Sequence, residues 1–151
     1  MHGKLACLNG SALSSCVLLT LGAALLQQKQ YLCVADKATG FKFDGVLSRW
    51  TSANFRADAK YLVAPSKLAG YAWQVTRMGE QTATALCKED FNEYGYLNCE
   101  GGGGTFRFNR KNGRFLKAYS VGYVNVLPGV NDITDAGSDT PNLEIGTCSP
   151  F

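Results

Sequence analysis

From Tyr31 onward the hydrophobic positions fall in short β-branched and aromatic runs, 8–12 residues apart, with Gly, Pro, Asn and Asp between them. No segment there keeps apolar residues at helical spacing for twelve positions, so the pattern predicts strands. The runs are Tyr31–Ala35, Phe41–Asp44, Lys60–Ala64, Tyr71–Met78, Gln81–Lys88, Tyr96–Cys99, Thr105–Asn109, Arg114–Val126 and Leu143–Cys148. Together they predict an all-β fold, a small antiparallel β-barrel or sandwich of about 8 strands.

Turn chemistry sets the expected registers. With a two-residue turn at Gly79-Glu80, Trp73 faces Leu86 and Val75 faces Thr84, which puts the large residues on one face. Between Thr105 and Tyr119, Lys111-Asn112-Gly113 suits a three-residue loop with Gly113 in the left-handed conformation that glycine adopts freely. Opposed residues then sum to 224, so Phe106 faces Ala118 and Phe108 faces Leu116 inside, while Arg107 faces Lys117 outside.

The N-terminal stretch is different. Lys4 is followed by a largely apolar run to Leu26 that includes Gly22-Ala23-Ala24, the form of a secretory signal cut after Ala24. The expected organisation is therefore a signal peptide at 1–24 and a single β-rich domain at 25–151. The strongest apolar part, Cys16 to Leu26, is shorter than the roughly 20 residues of a membrane-spanning helix, so cleavage leaves no stable span. Retention as an anchor is the alternative, and Leu13-Ser14-Ser15-Cys16 has the outline of a lipoprotein box whose apolar residues follow the cysteine.

Cleavage would leave Cys33, Cys87, Cys99 and Cys148, an even set that reads as two disulfides in an oxidising compartment, periplasmic or extracellular. Three pairings are possible. A hairpin centred on Glu93 puts Cys87 across from Cys99, and Cys33 with Cys148 would then tie the first strand to the last, as a closed sheet requires. Spacings of 54, 12 and 49 positions lack the close pairs of a zinc site.

Composition bears mainly on chemistry. The chain has 151 residues, 46% of them hydrophobic and 18% charged, and a formal charge of +3. Its one histidine, His2, goes with the signal, which excludes imidazole-based triads and histidine-rich metal sites from the remaining domain. No cofactor motif is present. Glu89, Asp90, Glu93 and Glu100 could serve carboxylate chemistry such as glycoside hydrolysis, or simply solvate a loop. Asn131, Asp132, Asp135 and Asp139 offer calcium-type oxygens in a segment that also reads as turns. Gly101 to Gly104 lacks the Lys and Ser/Thr of a phosphate loop. Trp50, Phe55, Trp73, Tyr94, Tyr96, Tyr119 and Tyr123 could fill a core or line a ligand cup.

The sharpest local signal is a charge run. Arg107, Arg110, Lys111, Arg114 and Lys117 put five cations within eleven residues, with no acid among them. Such a hairpin can steer an anionic partner, or can keep a sheet edge from pairing with another chain. With export, the expected partner is an anionic envelope protein or glycan and not nucleic acid.

Tyr31-Leu32-Cys33-Val34-Ala35-Asp36-Lys37-Ala38-Thr39-Gly40-Phe41, Phe106-Arg107-Phe108-Asn109, Gly113-Arg114-Phe115-Leu116 and Asp139-Thr140-Pro141-Asn142-Leu143-Glu144-Ile145-Gly146-Thr147-Cys148 resemble segments of small exported bacterial proteins of unknown function. That resemblance implies an envelope setting and brings no substrate or catalytic residue. In size and setting the chain is also similar to the β-barrel lysozyme inhibitors of the bacterial envelope, without their inhibitory loop motif. The expected function is a non-catalytic binding or inhibitor module. The alternatives are a carboxylate-based, glycan-directed hydrolase and a structural envelope protein.

Overall fold

A computed structural model describes residues 29–124 and 140–151. The expected signal at 1–24 and the segment from Asn131 to Asp139 lie outside the described residues. The strands are β1 (Tyr31–Asp44), β2 (Arg49–Phe55), β3 (Lys60–Pro65), β4 (Trp73–Arg77), β5 (Ala85–Cys87), β6 (Tyr96–Gly101), β7 (Gly104–Asn109), β8 (Arg114–Tyr119) and β9 (Asn142–Pro150). One helical turn, α1 (Val121–Val124), follows β8.

Every pairing is antiparallel, in the order β1-β3-β4-β5-β6-β7-β8-β9, and β9 returns to β1. Eight strands therefore close into a barrel. The ninth, β2, pairs only with the distal half of β1, from Ala38↔Phe55 to Asp44↔Arg49, and forms a hairpin arm beyond the wall. The carboxylate of Asp44 closes the arm by accepting from the amides of Val46 (2.9 Å) and Leu47 (3.0 Å).

The two runs expected at Tyr31–Ala35 and Phe41–Asp44 are one strand. The residues between them break the alternation because the register against β9 shifts between Ala35 and Lys37. The β2 strand was not apparent as a run. Its sequence, Arg-Trp-Thr-Ser-Ala-Asn-Phe, buries no complete face and depends on its partner, with Thr39 and Thr51 hydroxyls donating to the carbonyls of Ala53 and Lys42 across the pair. The run expected to reach Val126 ends as a strand at Tyr119 and turns into α1.

Both disulfides form as the sequence predicts. Cys33 is registered directly against Cys148, and Leu86↔Glu100 places Cys87 across from Cys99. The four cysteines among the described residues are all in disulfides. Two disulfides within one small barrel are the mark of an oxidising, extracellular or periplasmic environment.

Two registers differ from expectation by one residue. Around Gly79 the pairs are Trp73↔Cys87 and Val75↔Ala85, so Cys87 rather than Leu86 points inward. Facing Leu86 inward would turn the Cys87 sulfur away from Cys99. In the β7–β8 hairpin the pairs are Phe106↔Lys117, Arg107↔Leu116 and Phe108↔Phe115, which sum to 223. Gly113 does adopt a left-handed φ of 68°. The loop nevertheless takes four residues, because the side-chain oxygens of Asn109 and Asn112 each build a local turn, accepting from the amides of Lys111 (2.8 Å) and Arg114 (3.0 Å). Phe115 thereby goes inside in place of Leu116.

The interior is filled by two aromatic groups. In one, Phe106 and Phe115 stack at 5.1 Å and each makes a T-shaped contact with Tyr61. In the other, near the β7–β8 turn, Tyr31, Phe91, Phe108 and Trp73 pack with centroids 5.0–6.2 Å apart. At Gly146 a Cβ would fall on the Val34 carbonyl and the Phe115 ring, so only glycine lets β9 pass between them. The seven aromatics considered for a ligand cup do not gather around one. Trp73 packs on Phe91, Trp50 packs on Phe43 and Tyr123 beside the arm, and Tyr94, Tyr96 and Tyr123 are exposed.

Candidate functional site

The register of β7 and β8 decides what the five hairpin cations can do. Arg107 and Arg114 stand on the outer face, and Arg110 and Lys111 occupy the turn, all four exposed. Lys117 was expected outside, opposite Arg107. It instead follows Phe115 on the inward-facing alternation and is half-buried, because the 223 register reverses every side chain of β8. For the same reason Leu116, expected in the core, is 38% exposed.

Lys117 is held there by a small polar network. Its Nζ lies 3.6 Å from a Glu144 carboxylate oxygen and 5.9 Å from the centre of the Tyr61 ring. The other Glu144 oxygen accepts from the Tyr61 hydroxyl at 2.5 Å. Burial, and then the hydrogen bond to Glu144, push the Tyr61 phenol well above its ordinary ionisation range. Arg110 is also partly committed, with its guanidinium carbon 4.7 Å from the centre of the Phe91 ring and its amide donating to the Gly95 carbonyl (2.9 Å). Arg107, Lys111 and Arg114 form no ion pair among the described residues.

The acids singled out from the sequence are divided as well. Glu89, Asp90 and Glu100 line a cleft of about 510 Å³ on the outer face of β5 and β6, whereas Glu93 does not. The other lining residues are Tyr71, Leu86, Lys88, Asn92, Tyr96 and Asn98. Asp90 is fixed by accepting from the Trp73 indole nitrogen (2.7 Å) and the Phe91 amide (2.6 Å). The oxygen of Asn92 accepts from the amides of Tyr94 (3.1 Å) and Tyr96 (2.9 Å) and so shapes the loop. Tyr71, Leu86 and Asn98 join this group only through the folded sheet and do not stand out in the sequence. Their signal is indirect, through the Cys87–Cys99 pairing, since two inward cysteines make Leu86, Asn98 and Glu100 share the outer face.

Gly101 to Gly104 form a hairpin turn, with positive φ at Gly102 (55°) and Gly103 (79°) between the paired Gly101 and Gly104. Among the described residues no helix is long and apolar enough to cross a membrane. No family model, curated protein or solved structure matches this chain.

Proposed function

We propose that the chain is an exported, non-catalytic binding or inhibitor module of the periplasm or cell exterior, which engages an anionic envelope protein or glycan through Arg107, Lys111 and Arg114. In this reading residues 1–24 are the export signal. The observation that carries the proposal is the division of the hairpin charges. Two of the five cations cap aromatic groups, and three stand exposed with no ion pair among the described residues, on a strand pair whose inner face is anchored by Phe106, Phe108 and Phe115. Exposed cations clustered on a fixed backbone attract anions from a distance, in a way that salt screens.

The test is retention on dextran sulfate and on poly-glutamate across a salt gradient, comparing the intact domain with the Arg107→Ser, Lys111→Ser, Arg114→Ser variant. The expected result is salt-sensitive retention that the variant loses while its melting temperature is kept. Equal retention by the two proteins would leave the cations with only a solvating role.

A further inference from the structure

The cleft on β5 and β6 lies next to the basic hairpin and has the opposite chemistry. Asn98 in the cleft is registered against Arg107 across the β6–β7 pair, so the two surfaces adjoin. Three carboxylates against the single Lys88 make the cleft unfavourable for the anions that the hairpin would attract.

We propose that this cleft is a separate binding site for an uncharged saccharide built of pyranose rings. Its volume of about 510 Å³ falls within the range of small-ligand sites. Tyr71, Tyr96 and Leu86 supply apolar surface on which the C–H faces of a sugar ring can lie, and Tyr96 is 51% exposed. Glu89, Asn98 and Glu100 are exposed and have no side-chain partner among the described residues, so their oxygens are available to accept from sugar hydroxyls. Lys88 and the Asn98 amide supply donors to the same hydroxyls. A hydroxyl group both donates and accepts, and a mixed carboxylate and amide lining satisfies both roles, whereas an acidic ligand would face like charge.

The cleft is also held in shape. The Cys87–Cys99 bond joins its two strands from the inner side, Asp90 is locked to Trp73, and Asn92 braces the loop that leads into Tyr96 at the start of β6. Walls that do not have to be ordered on binding lower the entropic cost of capturing a weakly interacting polyol.

The Trp73–Asp90 hydrogen bond provides a reporter, because the only other tryptophan, Trp50, can be removed as Trp50→Phe. In that background the domain is titrated with tetrasaccharides of glucose and of N-acetylglucosamine, with oligogalacturonate and with oligolysine. The expected result is a saturable change in Trp73 emission with at least one neutral tetrasaccharide and none with oligogalacturonate. Asn98→Ala and Tyr96→Ala should each weaken it about tenfold without lowering the melting temperature. The Arg107→Ser, Lys111→Ser, Arg114→Ser variant should bind the saccharide as before, which separates this site from the hairpin's. The proposal is overturned if no neutral tetrasaccharide changes the emission up to about 20 mM, far above useful affinity. It is equally overturned if binding survives Asn98→Ala and Tyr96→Ala together, or if oligolysine binds in place of the sugars.

Discussion

Lys117 and Arg107 lie on adjacent strands of one hairpin, yet their surroundings are opposite. Arg107 stands on the outer face beside Leu116, with no carboxylate paired to it among the described residues. Lys117 points toward the barrel interior over Tyr61 and is paired with Glu144, and both of these charged side chains are less than a fifth exposed. A local density of cations is therefore not yet a surface. The register of the strands sorts those charges into some that hold the fold and some that are left for a partner.

The largest effect is expected at the register itself. Phe115→Ala should destabilise the barrel by about 3–5 kcal/mol, since it empties the stack with Phe106 and Tyr61. Leu116→Ala should cost less than about 1 kcal/mol from its exposed position. Urea unfolding of the two variants checks this, and the reverse ranking would restore the register in which Leu116 is buried.

A smaller effect is expected at the network. Glu144→Ala leaves the half-buried Lys117 ammonium and the Tyr61 hydroxyl without their partner, at a cost of about 2 kcal/mol. Adding Lys117→Met should recover part of that loss, because the uncompensated charge goes with it. Denaturant midpoints of the single and double variants measure the coupling.

The smallest effect is one of pH. The folded Tyr61 phenol holds its proton more tightly than the unfolded one, so its contribution is complete below about pH 10 and declines as pH rises beyond it. Tyr61→Phe should remove this part of the alkaline loss of stability, as followed by thermal melts above neutral pH. An unchanged alkaline profile would mean that the phenol is not shielded.

Much of the fold could be read from the chain. The strand class, both disulfides and the left-handed Gly113 followed from alternation, cysteine arithmetic and turn chemistry. The errors have physical sources. β2 has no apolar face of its own and is a strand only because the distal half of β1 offers it an edge. The hairpin register depended on whether the side chains of Asn109 and Asn112 would each close a turn, which lengthens the loop by one residue and reverses β8. The inward place of Lys117 could not be assigned without Glu144, its direct register partner on the neighbouring strand β9. The acids were recognised as a cluster, but their cleft needed the aromatic and amide residues that only the pairing of β5 with β6 brings to the same face.

The division of the hairpin cations can be tested in a single measurement. Brief acetylation of the folded domain with a water-soluble amine reagent, followed by peptide mass spectrometry, compares the rates at Lys111 and Lys117 on adjoining stretches of one hairpin. Lys111 should react readily, and Lys117, half-buried against Tyr61 and paired with Glu144, should react several-fold more slowly until the fold is lost. Equal rates in the folded state would place Lys117 on the outer face with Arg107 and contradict the account.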